Sequence, residues 1–273
     1  LSSIKAELKT VSATINGVAV TQTATVNVTV GAVSASLSAV ATAPAAIEAG
    51  SASATITITA RDAQGNPISG AAVALVATGT GNTLTQPTSS TNASGVATGT
   101  LSSIKAELKT VSATINGVAV TQTATVNVTV GAVSASRSTV ATAPAIIEAG
   151  SGSATITITA RDAQGNPISG ATVVLAATGT GNTLTQPTSP TDASGVATGA
   201  LSSTKAEPKT VSTTIGGVTV TQTVTVNVAA SGVSASQSTV AAEPATIEAG
   251  SGRATNTITP PETHGEPIRR ATV

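Results

Sequence analysis

The chain repeats itself at a fixed interval of 100 residues, and that period constrains the fold more than any other feature. Leu1-Ser2-Ser3-Ile4-Lys5-Ala6-Glu7 returns as Leu101-Ser102-Ser103-Ile104-Lys105-Ala106-Glu107, and again, with Thr204 in place of the Ile, as Leu201-Ser202-Ser203-Thr204-Lys205-Ala206-Glu207. No insertion or deletion breaks the register. Residues 1–100 and 101–200 differ at ten positions, of which Leu37/Arg137 is the least conservative. Solenoid units run to about 20–50 residues. A hundred residues is instead the size of a domain able to bury its own core, so each copy is expected to fold alone.

The joints are expected at Gly31-Ala32-Val33-Ser34, Gly131-Ala132-Val133-Ser134 and Ser231-Gly232-Val233-Ser234, after the last alternating strand of each copy. This phase makes 1–32 the last third of one domain, 33–132 and 133–232 two complete domains, and 233–273 the front of a fourth. The joints are short and not rich in Pro or Gly, so a semi-stiff rod is expected.

Composition narrows the chemistry. Twelve Lys and Arg balance twelve Asp and Glu, and only 9% of residues are charged while 40% are hydrophobic. Phe, Trp, Tyr, Met and Cys are absent and there is one His, where an average chain of this size carries roughly twenty aromatics. The core must be built from Ala, Val, Ile, Leu and the methyl groups of Thr. Nucleic-acid binding lacks both a basic excess and stacking platforms. Zinc sites, thiol nucleophiles and Ser-His-Asp triads have almost nothing to work with. The longest apolar run, Ala71 to Ala77, is far below the roughly 18 residues that span a bilayer. The opening Leu1-Ser2-Ser3-Ile4-Lys5 lacks the pattern of a signal peptide, and with no Met anywhere the chain reads as a piece of a longer frame.

Local pattern predicts strands. Ala54, Ile56, Ile58 and Ala60 alternate with Thr55, Thr57 and Thr59, the period of a half-buried strand. Asp62-Ala63-Gln64-Gly65-Asn66-Pro67 is a turn by composition. The next strand runs from Ala71 to Thr78 with Val73 and Leu75 inward, and Gly79-Thr80-Gly81-Asn82 turns the chain again. Thr91-Asn92-Ala93-Ser94-Gly95 then feeds a strand from Val96 to Leu101. Lys109 to Asn116 places Val111, Ala113 and Ile115 on one side, and Asn116-Gly117 is a hairpin signal. Ala124, Val126, Val128 and Val130 form the inner face of a closing strand. With a first strand near Leu37 to Thr42, about seven short strands per copy predict an all-β, antiparallel sandwich of immunoglobulin type. A helix over Ser102 to Thr110 is disfavoured because Leu108 becomes Pro208 in the third copy.

Asp62-Ala63-Gln64-Gly65-Asn66-Pro67-Ile68-Ser69-Gly70-Ala71-Ala72-Val73 resembles the signature turn of bacterial Ig-like domain group 1 (Big-1), the stalk domain of intimin/invasin adhesins. Thr91 to Ser103 and Lys109 to Ile115 resemble the same family in the same order, and the resemblance covers essentially the whole chain. It implies a non-enzymatic stalk in a virulence-associated cell-adhesion protein. The parent would sit on the bacterial cell surface, held by an outer-membrane barrel, with a distal tip that meets a host receptor. Neither anchor nor tip lies in this chain. The partners implied are the neighbouring Ig-like domains, with no cofactor, no nucleic acid and no membrane-spanning segment here. The alternative is that the repeats themselves bind a receptor or carbohydrate, which the lack of aromatics and of interface-favoured side chains disfavours. One departure is Leu75 and Leu175, where family members often carry an aromatic; less buried area implies lower stability. In the last copy Asn256, Pro260, Pro261, Glu262, Arg269 and Arg270 depart further, and 253–273 is expected to fray.

No catalytic, cofactor or metal site is expected. His264 stands alone without an acid or nucleophile. Asp62 and Asn66, with Asp162 and Asn166, are thin as calcium ligands and are expected to cap their turns. The Thr-x-Thr runs are ordinary exposed strand faces, and Asn92-Ala93-Ser94 and Asn27-Val28-Thr29 match the glycosylation triplet by chance. Gly79-Thr80-Gly81 lacks the Lys and helix of a phosphate loop.

Overall fold

A computed structural model describes residues 1–261 of the chain and separates two units, Leu1–Gly131 and Ala132–Val273. No helix occurs among the described residues. The first unit opens with β1 (Leu8–Val11), β2 (Thr14–Ile15), β3 (Val18–Ala19) and β4 (Ala24–Asn27). Here β1 pairs with β4 and β2 with β3, both antiparallel.

A complete repeat follows: β5 (Ala39–Ala43), β6 (Ala46–Glu48), β7 (Ser53–Thr59), β8 (Val73–Ala77), β9 (Asn82–Thr85), β10 (Val96–Ser103), β11 (Leu108–Ile115), β12 (Val118–Ala119) and β13 (Ala124–Thr129). One sheet has the order β5-β7-β10-β9. In the other, β11 pairs antiparallel with β8, β12 and β13, and β13 pairs in parallel with β6. The described repeat thus has nine strands where about seven are expected. The strands the pattern does not mark are β6, β9 and β12, with three, four and two residues, too short to show a clear alternation.

The two sheets are closed by the aliphatic face that the sequence predicts. Ala54, Ile56, Ile58 and Ala60 of the β7 segment are fully buried, as are Leu101 of the neighbouring β10 and Val111, Ile115 and Val126 of the facing sheet. β-branched side chains suit this surface because their restricted rotamers fit a pleated sheet with little entropy to lose. With no aromatic available, close approach replaces bulk. Gly99 on β10 lies opposite Leu75 so tightly that a Cβ there would sit 2.6 Å from Leu75 Cδ1 and 2.5 Å from the Thr85 carbonyl. Asn116 and Gly117 take φ of 48° and 80° and close the β11–β12 hairpin, as Asn-Gly favours.

The free edge of β8 is protected by a side chain. Gln86 accepts a hydrogen bond from Leu75 N (2.7 Å) and donates one to Leu75 O (2.8 Å). It does for that edge what a further strand would do.

The second unit repeats the scheme with β14 (Thr139–Ala143), β15 (Ile146–Glu148), β16 (Ser153–Thr159), β17 (Val173–Ala177), β18 (Asn182–Thr185), β19 (Val196–Ser203), β20 (Pro208–Ile215), β21 (Val218–Thr219) and β22 (Val224–Ala229). It has its own core around Ile156, Ile158, Leu201, Val211 and Ile215. Pairing matches the first unit strand for strand, and Gln186 guards Leu175 as Gln86 guards Leu75.

The structure corrects several sequence expectations. Val130 is not on the inner face: β13 ends at Thr129 and Val130 is 37% exposed. The strand expected from position 109 starts one residue earlier, so that Pro208 begins β20; the first residue of a strand tolerates a missing donor. Within 253–273, where fraying is expected, the first part forms a strand whose residues are all exposed. There β24 (Thr255–Thr259) pairs with β23 (Thr239–Glu243), Val240 opposite Ile258, as Val40 is opposite Ile58 in the first repeat. Ladder bonds use backbone only, so Asn256 does not prevent them. Pro261 is tolerated because its carbonyl is the group used: it accepts from Ser234 N at 3.0 Å, as Arg61 O accepts from Ser34 N at 2.7 Å. The remaining positions, 262–273 with His264, lie outside the described residues.

Candidate functional site

Two polar assemblies recur in both complete repeats. The first is the Asp62–Pro67 turn. Asp62 is 1% exposed, and its carboxylate accepts four hydrogen bonds. Oδ1 takes Gln64 N (2.9 Å) and Asn66 N (2.8 Å), while Oδ2 takes Gly31 N (3.0 Å) and Asn66 Nδ2 (2.9 Å). Those donors, the Gly31 amide first and the Asn66 side chain next, hold the Asp62 carboxyl down at about 2, because hydrogen bonds to the charged form favour it. Asn66 reaches outward as well: its Oδ1 accepts from Ala6 N (3.0 Å) and its Nδ2 donates to Ile4 O (2.9 Å). Arg61 spans the turn by donating to Gly65 O at 2.8 Å. Asp162 and Asn166 reproduce the internal bonds of this turn at 2.8 to 2.9 Å.

This geometry bears on calcium. A cation needs several free oxygens converging on one point, whereas N–H groups point at both Asp62 oxygens. Among the described residues no three His, Cys, Asp or Glu side chains gather into a metal-holding group.

The second assembly escaped the sequence reading. Lys109 and Lys209 are wholly buried. Lys109 Nζ donates to Thr80 O at 2.6 Å and to Glu107 Oε1, and the same Glu oxygen accepts from Thr80 N at 3.0 Å. Lys209, Thr180 and Glu207 repeat the arrangement. The Lys109 ammonium, and then the Thr80 amide, lower the Glu107 carboxyl from its ordinary 4.5, and Glu207 is lowered by Lys209 in the same way. The signal was present: the alternation that puts Val111, Ala113 and Ile115 inward also puts position 109 inward. A charge in a strand start is normally assigned to solvent, and here the Glu107 carboxylate and the Thr80 carbonyl together permit its burial.

Neither assembly has the parts of a catalytic constellation. The Lys is locked by a carbonyl and a carboxylate, and the Asp by four donors; a nucleophile or general base needs a free lone pair within reach of substrate. The concavities are open surface grooves. One of about 300 Å³ is lined by Gly50, Ser51, Ser53, Thr83, Ser102 and Ile104. Another, of about 490 Å³ beside Ile146 and Ser153, includes Glu148 as its one charged group. Asn92 and Asp192 act as turn caps: each carboxyl or amide oxygen accepts from the amides two and four residues on. No helix among the described residues is long and apolar enough to cross a membrane.

Comparison with known proteins agrees with this architecture. The family model for the bacterial Ig-like domain (group 1) matches residues 36–130 and 136–229. Among solved structures, the chain is similar to FdeC, described as an Escherichia coli adhesin, at 28% identity with a TM-score of 0.62, covering 88% of this chain and 78% of that one. It is similar to Yersinia pseudotuberculosis InvD at 27% identity and a TM-score of 0.58, covering 85% and 72%. Invasin, described as a bacterial integrin-binding protein, matches at 25% identity and a TM-score of 0.53; 85% of this chain is covered but 48% of invasin.

Proposed function

The chain belongs to the bacterial Ig-like domain (group 1) family, and from that premise we propose that its repeats are the spacer of a bacterial surface adhesin, setting a separate binding module at a distance from the cell. The observation that supports the reading is that each complete copy closes a core of its own and then repeats with its two polar assemblies intact. The domain boundaries follow the same reading: 33–132 and 133–232 are the complete units, preceded by the back third of one and followed by the front of another. An eight-residue strand such as β10 spans about 26 Å at roughly 3.3 Å per residue, so adding copies adds length without adding chemistry. The similarity to FdeC, InvD and invasin favours an adhesin-type role at the cell surface. An outer-membrane anchor and a receptor-binding tip belong to the same proposal.

The test is a repeat-number series in the parent adhesin. Deleting or doubling the unit 33–132 is expected to change the reach of the tip, measured by atomic-force microscopy on cells, and to leave the tip's affinity unchanged. Saturable binding of the 273-residue chain alone to host cells or to a glycan array would replace the spacer reading with a binding-module one.

A further inference from the structure

The signature turn is more elaborate than a reversal of chain direction requires. Oδ1 of Asp62 already closes it, by accepting from Gln64 and Asn66. The other polar atoms of the pair, Asp62 Oδ2 and both ends of the Asn66 amide, meet residues of the preceding copy: Gly31, Ala6 and Ile4. We propose that the Asp62–Pro67 turn is a docking seat for the preceding copy, so that segment 1–32 and repeat 33–132 are joined by side-chain recognition of backbone as well as by the connecting peptide. This inference rests on the spacer reading and names the surface that would make such a spacer stiff.

The chemistry of Asn66 fits this role closely. In a parallel ladder, one residue donates to a carbonyl of the facing strand and accepts from the amide two positions further along. The Asn66 carboxamide makes that same pair of bonds, donating to Ile4 O and accepting from Ala6 N. A carboxamide carries a donor and an acceptor side by side on one planar group, and the Asn66 carboxamide is held in place by Asp62 Oδ2 at 2.9 Å. Because the seat reads backbone, it makes no demand on the side chain at the docked position. Asp62 completes the joint by holding the Gly31 amide of the linker, and the chain then enters the repeat through the Val33–Asp62 bridge.

The test is amide hydrogen exchange by NMR on the full chain. In the wild type the Ala6 and Gly31 amides are expected to exchange at least about fivefold more slowly than unstructured peptide, what one net hydrogen bond of roughly 1 kcal/mol gives. Asn66→Ala should abolish protection at Ala6, leaving Gln64, bonded to Asp62, and Ile58, in the core, protected. Ala6→Pro removes the donor from the docked side without touching the turn. By undocking the segment it should release the Asn66 Nδ2 proton that Ile4 O holds and speed its exchange about fivefold, and it serves if Asn66→Ala perturbs folding. Random-coil exchange at Ala6 in the wild type, or unchanged rates in both variants, would overturn the proposal. That outcome would leave a spacer of loosely tethered copies; ligand binding by the repeats would remove the spacer reading without altering these rates.

Discussion

Gly99 and Gly199 offer the most direct check on how a sandwich without aromatics holds together. Neither has a left-handed φ, so backbone freedom is not why glycine is there. A Cβ at 99 would lie 2.5 Å from Thr85 O and 2.6 Å from Leu75 Cδ1, and at 199 it would lie 2.5 Å from both Thr185 O and Leu175 Cδ1. Ordinary van der Waals contact begins near 3.4 Å, so β9 must retreat by most of an ångström and Leu75 must leave its rotamer. Overpacking of this kind costs about 2 kcal/mol. Gly→Ala at both 99 and 199, made together so that the two repeats shift alike, should lower the melting temperature by roughly 10 °C. The assay is calorimetry or far-ultraviolet circular dichroism, since there is no Trp or Tyr to follow. A double-mutant cycle sharpens the argument. Leu75→Ala and Leu175→Ala alone should cost about 3 kcal/mol per repeat, yet they remove one of the two clashes. The combined variant should therefore be more stable than the sum of the separate losses by about 1 kcal/mol. Strict additivity, or a Gly→Ala change of under about 0.5 kcal/mol, would refute the claim that close approach to Leu75 is what glycine provides. Gly117→Ala is the control: it has open space around it but a φ of 80°, and should cost only the left-handed penalty of about 1 kcal/mol.

Three further outcomes are expected. Gln86→Ala with Gln186→Ala bares the edges of β8 and β17 and should raise the rate of aggregation at unchanged secondary structure; equal light scattering from variant and wild type would count against edge protection. Acid stability follows from the lowered carboxyls: Asp62 falls from 3.8 to about 2 and Glu107 and Glu207 fall below 4.5 on folding. Their contribution is therefore complete above about pH 4.5 and is lost as pH falls toward 2. Lys109→Met with Lys209→Met should flatten that acid limb in denaturation measured from pH 5 to pH 2, and an unchanged slope would show that the Lys–Glu pairs do not produce it. Because N–H donors occupy the Asp62 carboxylate, EDTA and added calcium should each leave the melting temperature where it is; a rise with calcium would show that the ion displaces those donors.

What the sequence determined by itself is the part of the fold that is periodic. The register of 100 residues, the alternation over 54–60 and 109–115 and the Asn116-Gly117 hairpin each report a local geometry. A strand's side chains face alternate ways whatever the strand packs against. The same logic carried the turn at Asp62, since Asp caps its own backbone within four residues. The tertiary structure decided whatever depends on residues distant in the chain. Lys109 pairs with the neighbouring Glu107, but its cage is completed by Thr80, 29 residues away, which turns a carbonyl toward it. Gln86 covers Leu75 across 11 residues, Asn66 meets Ala6 across 60, and Gly99 is needed because of Leu75 and Thr85. In each case the amino acid is ordinary for its local element, and its role comes from a partner that no neighbouring residue announces. Even the tail over 255–259 follows this division. Its side chains argue against a strand, but backbone pairing with 239–243 needs only amides and carbonyls, which substitution by Asn leaves unchanged.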